Sequence, residues 1–151
     1  MRACKCAPED LRGKRAFSAE PIEACLRDND ERRVRRMMER PMGVLEATAL
    51  LLREAEKPLA FSGLIADHCP QVASKAAWTL GHAAAKGCDI SVAEGMLNDG
   101  LARPEAEVRV ACAYALCHHC RARGDTAGLA ALETHGDGDV RTGARLASLD
   151  C

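Results

Sequence analysis

Three segments of the chain align without a gap when set on a shared valine: VASKAAWTLGH (72–82), VRVACAYALCH (108–118) and VRTGARLASLD (140–150). VLEATALLLRE (44–54) fits as a weaker fourth. The valines are spaced 28, 36 and 32 residues apart, the period of helical repeat arrays, in which one unit cannot bury its apolar face without its neighbours. Each segment is rich in Ala or Leu, has no internal proline and follows a turn-like or capping stretch: ERPMG, DHCPQ, ARPEAE and HGDGD. They predict four second helices.

Shorter amphipathic stretches at 58–67, 90–102 and 125–134 predict the first helices of the pairs. Residues 20–40 supply one long or broken helix, with an interruption at Asp28-Asn29-Asp30. Breakers fall where turns are needed, at Pro41, Gly43, Pro58, Pro70, Gly87, Pro104, Gly124, Gly136 and Gly138. The expected organisation is a flexible segment at 1–19 and one domain at 20–151, with repeats at about 20–56, 58–86, 90–122 and 125–151. Only four aromatic residues occur, Phe17, Phe61, Trp78 and Tyr114. The core is therefore expected to consist of Ala, Leu, Val, Ile, Met and Cys, a composition of close-packed helices rather than sheets.

The aligned segments resemble the second helix of the HEAT-repeat family, in particular its short bacterial type, similar to phycobilisome-lyase-like repeats. The family pattern runs roughly Asp-x-x-Val-Arg-x-x-Ala-Ala-x-Ala-Leu-Gly. Val108, Arg109, Ala113, Ala115 and Leu116 match it in one unit, Val72, Ala76, Ala77, Leu80 and Gly81 in the one before, and Asp137, Val140, Arg141, Ala144 and Ala147 in the last. The chain departs from it after Val44 and Val72, where no Arg follows, at Cys112, and at Ser148-Leu149. The resemblance covers about residues 41–151 and implies an all-α, right-handed solenoid of about four antiparallel helix pairs.

In that family the second helices line a concave surface, and the positions two, six and ten after the valine face the groove. Here these are Glu46, Leu50 and Glu54; Ser74, Trp78 and His82; Val110, Tyr114 and His118; and Thr142, Leu146 and Asp150. Both central units place an aromatic four residues before a histidine, on one helical stripe. The expected binding groove is Ser74, Trp78, His82, Val110, Tyr114 and His118. Large rings with polar tips anchor peptides; packing across the repeat seam is the equal alternative for Trp78 and Tyr114. The tenth positions, Glu54, His82, His118 and Asp150, hold residue types that bind zinc or iron. A hydrated groove explains the same residues without a metal, and no cofactor is expected.

Cys117-His118-His119-Cys120 looks like a metal or redox motif, but a Cys-x-x-Cys zinc site needs two further ligands, and no second pair lies nearby. Cys117 and Cys120 read as packing residues and His119 as helix-end surface. His68-Cys69 precedes a helix, where a thiolate would gain from the dipole; a turn-packing cysteine is the plainer reading. There is no Gly-rich phosphate loop, nucleophile elbow or His-Glu-x-x-His sequence.

Charge is uneven, with 11 Lys/Arg against 8 Asp/Glu in residues 1–40 and 10 against 14 thereafter. The basic run Arg32-Arg33-Val34-Arg35-Arg36 suits phosphate or, more simply, a solvated helix face. The acidic remainder disfavours nucleic acid and with it a DNA-lesion role. No signal-peptide pattern and no apolar run of about 18 residues occur, so a cytoplasmic protein off the membrane is expected, its nine cysteines mostly free thiols. The expected function is non-enzymatic capture of a protein or peptide in the groove. A bilin or haem lyase or chaperone subunit is the alternative, and the outer face of the last repeat would suit homodimerisation.

Overall fold

The computed structural model describes residues 31–53 and 58–150, and within them the chain is all-α, without a strand. The α-helices are α1 (Glu31–Glu39), α2 (Gly43–Arg53), α3 (Pro58–Ser62), α4 (Pro70–Ala85), α5 (Glu94–Gly100), α6 (Ala106–Arg123), α7 (Thr126–Glu133) and α8 (Gly138–Leu149). Two 3-10 turns, Gly63–Ala66 and Ser91–Ala93, extend the short helices. The expected interruption at 28–30 and the flexible segment at 1–19 lie outside the described residues. None of the described helices is long and apolar enough to cross a membrane.

The helix ends follow from local chemistry. Pro70 opens α4, where its missing N–H is not needed. The Asp137 carboxylate accepts from the Asp139 and Val140 amides to cap α8, and Asp125 accepts from the Gly128 amide to cap α7. Gly124 ends α6 at φ 69°, a left-handed turn that glycine adopts without strain.

The longer helices meet in chain order: α2 packs on α4, α4 on α6 and α6 on α8, while the short helices α5 and α7 lie against α6. Val72, Val108 and Val140, the residues that set the alignment, are fully buried. Each Arg that follows such a valine closes the turn before its helix. Arg109 Nη1 donates to the carbonyls of Arg103 and Pro104 at 2.7 Å each, and Arg141 Nη1 donates to those of His135 (2.5 Å) and Gly136 (3.1 Å). Arg109 also reaches the next unit, pairing with Asp137 (3.3 Å) and Asp139 (2.5 Å). Arg35, in the basic run, is likewise committed within the protein. It pairs with Glu39 on its own helix and with Asp67 ahead of α4, at 2.7 Å. It is thus no free contact for phosphate.

The register of α2 differs from the alignment by one residue. Its buried positions are Gly43, Ala47, Thr48, Leu50 and Leu51, the spacing that Val72, Ala76, Ala77, Thr79 and Leu80 show in α4. Gly43, not Val44, therefore occupies the first core position. A side chain there would run into the Met37 backbone, so the core face begins on a glycine that a valine-based alignment passes over. Two consequences follow for the expected groove stripe: Leu50 is buried rather than groove-facing, and the corresponding outer positions are Leu45, Ala49 and Arg53, all exposed.

Two other glycines set how closely helices approach. A Cβ on Gly81 would lie 2.6 Å from Tyr114 Cδ1 and 3.0 Å from Ala115 Cα, and one on Gly143 would lie 2.7 Å from Ala113 Cβ and 3.0 Å from Tyr114 N. Both are closer than carbon and nitrogen atoms tolerate, so α6 is seated between α4 and α8 only because these positions lack side chains. Gly143→Ala is expected to cost about 1–3 kcal/mol by overpacking, whereas Gly95→Ala on α5, where nothing lies within 4 Å, should gain a few tenths from helix propensity. Urea denaturation of the two variants checks this; equal stabilities would refute the seam.

Candidate functional site

The α4 and α6 helices bring the paired aromatic and histidine residues of the two central units together around one ring. Among the described residues Tyr114 is the largest fully buried side chain, at 2% exposure. Trp78 leans on it with centroids 4.5 Å apart and planes at 52°, His82 meets it at 5.2 Å and 66°, and His118 at 4.8 Å and 78°. Tilted and edge-on contacts of this kind match the positive edges of rings to negative faces.

A phenol this deep needs a partner for its hydroxyl. Tyr114 Oη lies 2.9 Å from His82 Nδ1 and also bonds Asp150 Oδ2. Asp150, the residue closing α8, accepts on the same oxygen from His118 Nε2 at 3.1 Å. The hydrogen-bond directions are fixed by counting protons. The Asp150 carboxylate only accepts, so Tyr114 donates its single proton there and must accept from His82. Neutral His82 accordingly carries its proton on Nδ1, leaving Nε2 with a lone pair. Neutral His118 carries its proton on Nε2.

Burial lowers the His118 pKa below the ordinary imidazole value, while the Asp150 hydrogen bond and charge act in the opposite sense. His82 is lowered as well, first by burial, with Asp150 opposing and with His118 and Lys86 adding to the fall. The hydrogen bond from Tyr114, followed by that from His118, holds the Asp150 carboxyl below its usual range.

The expected site residues are thus gathered, but not as an open wall. Ser74, Tyr114 and His118 are buried, and Trp78, His82 and Val110 half-buried. Tyr114 is drawn into the seam because Gly81 and Gly143 let the flanking helices close over it. Of the residues considered for a metal, His82 and His118 are each engaged through Tyr114 and Asp150, and Glu54 lies outside the described residues. Among the described residues no three His, Cys, Asp or Glu side chains form a metal-holding group.

The neighbouring motif is also taken up by packing. His119, expected at the helix-end surface, is buried with its Nε2 3.5 Å from Glu94 Oε2. Cys117 and Cys120 are buried free thiols, and burial pushes Cys117 up to about 12, so this pair offers no thiolate near neutral pH. Cys69 is buried and disulfide-bonded, which removes it as a helix-start thiolate.

A pocket of about 340 Å³ opens beside His82, between α2 and α4, lined by Pro41, Met42, Val44, Leu45, Thr48, His82 and Lys86. Met42 and Leu45 are 56% and 65% exposed. Apart from His82, these residues lie off the stripe expected from Val44; for Leu45 the reason is that the core face of α2 begins one residue earlier, at Gly43. The signal that would have found Leu45 is Gly43 in the first core position, which puts it on the same stripe as Ser74 and Val110.

Two outcomes check this geometry. Nitrogen NMR of the imidazoles should show His82 as the Nδ1–H tautomer, and Tyr114→Phe should shift it toward Nε2–H with a stability loss of about 1 kcal/mol; an unchanged tautomer would contradict the chain of hydrogen bonds. For pH, both histidines have folded values below the 6.5 of a free imidazole. The unfolded chain therefore binds more protons as pH falls through 6.5, and stability is lost in that direction. Asp150, depressed below 3.8, adds a second loss only as pH falls below that value. Thermal melting should fall from pH 7 to pH 5 and flatten in the His82→Gln/His118→Gln double variant; a flat wild-type profile over that range would count against it.

In comparisons with known proteins, no family model matches the chain, and no curated protein or solved structure matches it.

Proposed function

We propose that the chain is a non-enzymatic binding module of the HEAT-repeat kind, a right-handed solenoid of about four antiparallel helix pairs that holds a segment of a partner protein on the face formed by its longer helices. Support for the architecture comes from the chain-order packing of α2, α4, α6 and α8, the buried valines at repeating positions, and the Arg-to-carbonyl bonds repeated before α6 and α8. Stacked units of this type present an extended surface, suited to a macromolecular partner.

The observation that carries the binding reading is the apolar pocket between α2 and α4, with Met42 and Leu45 at its mouth. At about 340 Å³ it sits near the low end of ligand-sized cavities, roughly 300–1,000 Å³, which suits one or two side chains of a docked segment. Large apolar side chains left exposed beside a concavity mark interaction surfaces more than isolated ones do.

Selection from a randomised displayed-peptide library tests this. Wild-type protein should enrich peptides with an apolar anchor, and Leu45→Asp should weaken their binding about tenfold or more while leaving the melting temperature unchanged, since Leu45 is exposed. If wild type enriches nothing, or the same peptides bind both proteins equally, the reading fails.

A further inference from the structure

We infer that the segment taken by this pocket carries a carboxylate beside its apolar anchor, held between the His82 imidazole and the Lys86 ammonium. The inference rests on the binding reading above and names the chemistry of its partner. His82 lies in the last turn of α4 and Lys86 is the residue that ends the helix, and both line the pocket together with the apolar residues of α2 and of the turn before it. Lys86 makes no ion pair among the described residues, whereas Arg35, Arg103, Arg109 and Arg123 are each matched to a carboxylate. His82 Nδ1 is engaged by Tyr114, and its Nε2 bonds to nothing described. The pocket thus combines an apolar lining with two nitrogen groups that have no partner among the described residues. A carboxylate next to a leucine-like side chain complements both halves.

The buried chain behind His82 makes this an anion site that gains from a proton. An incoming carboxylate at Nε2 favours protonation there, the proton coming from solvent. The resulting imidazolium donates from Nε2 to the ligand and from Nδ1 to Tyr114, with the Asp150 charge directly behind the phenol. The groups facing His82 are Tyr114 and His118 from α6, Asp150 from the end of α8 and Lys86 just past the end of α4. From α2 and the turn before it the facing residues are Pro41, Met42, Val44, Leu45 and Thr48, none of which titrates. Asp150 favours the imidazolium, while Lys86 and His118 oppose it; a bound carboxylate offsets Lys86. Affinity should therefore rise as pH falls from 8 to 6, by at most about tenfold per pH unit for one linked proton.

The displayed-peptide selection, run at pH 6 on wild type and on Lys86→Glu, tests the inference. Wild type should enrich an acidic residue adjacent to the apolar anchor, and Lys86→Glu should replace it with a basic one. In fluorescence polarisation, changing glutamate to glutamine in a selected peptide should weaken wild-type binding about tenfold. The gain in affinity from pH 8 to pH 6 should disappear in His82→Gln. An apolar consensus with no charge preference, shared by wild type and Lys86→Glu, would overturn this inference and leave the docking reading standing. Failure to enrich any peptide that depends on Leu45 would overturn both. A charge preference that reverses without any pH dependence would keep Lys86 and remove His82 from the site.

Discussion

The structure depends on the seating of one side chain. Tyr114 and Phe61 are the two buried aromatics in a described core otherwise built of Ala, Leu, Val, Ile, Met and Cys, and Tyr114 is placed where α6 meets both of its long neighbours. Its ring occupies space that a side chain at Gly81 would fill, and its backbone nitrogen lies where one at Gly143 would clash. Small residues at these two positions let the three helices close around a ring, and the closure in turn strips water from the phenol. A hydroxyl so placed must find protein partners or lose roughly 1–3 kcal/mol. The polar chain through His82, Asp150 and His118 is the answer to that demand. Packing therefore comes first, and the alignment of the titratable groups follows from it.

The same order explains why histidines and carboxylates at metal-friendly sequence positions assemble into a hydrogen-bond chain. Two imidazoles bind one metal only if their lone pairs converge. Here a phenol stands against both rings, and the nitrogens nearest the seam are spent on Tyr114 and Asp150. Asp150, 42% exposed at the helix end, retains contact with water and stays ionised, so the chain has a charged terminus at the surface and neutral donors inside. That is a low-cost way to satisfy buried polar groups, because the charge itself is not desolvated.

Much of the helix layout was legible in the sequence, because an apolar repeat with a fixed valine and a following arginine states both which face is buried and where the turn lies. The second helices predicted at 72–82, 108–118 and 140–150 are the hearts of α4, α6 and α8. The first unit was read one residue out of register, since glycine has no hydrophobic signature and Gly43 takes the valine's place through backbone contact with Met37. Pairing was also hidden: nothing in VRRM says that Arg35 will reach Asp67, more than thirty residues away. In the candidate site the stripe of Trp78, His82, Tyr114 and His118 could be read from helical period alone. Its burial could not, because that depends on two glycines in different units acting on the same ring.

His82 is where the interior and the surface meet. One ring nitrogen belongs to the buried chain and the other is left over, on a residue that lines the pocket beside Met42, Leu45 and Lys86. Most surface histidines present either nitrogen in either tautomer and rotate to suit a ligand, so binding must order them first. Here the Tyr114 bond fixes the tautomer and the ring contacts with Trp78 and Tyr114 fix the plane, which reduces the ordering cost of any hydrogen bond made at Nε2. The preorganisation is a by-product of how α4 and α6 pack, and it draws on residues that a ligand in the pocket need not touch. A change at Gly143 or Asp150 would therefore be felt at His82 through the position and proton of Tyr114, linking the packing of the last helix to the chemistry of a pocket two helices away.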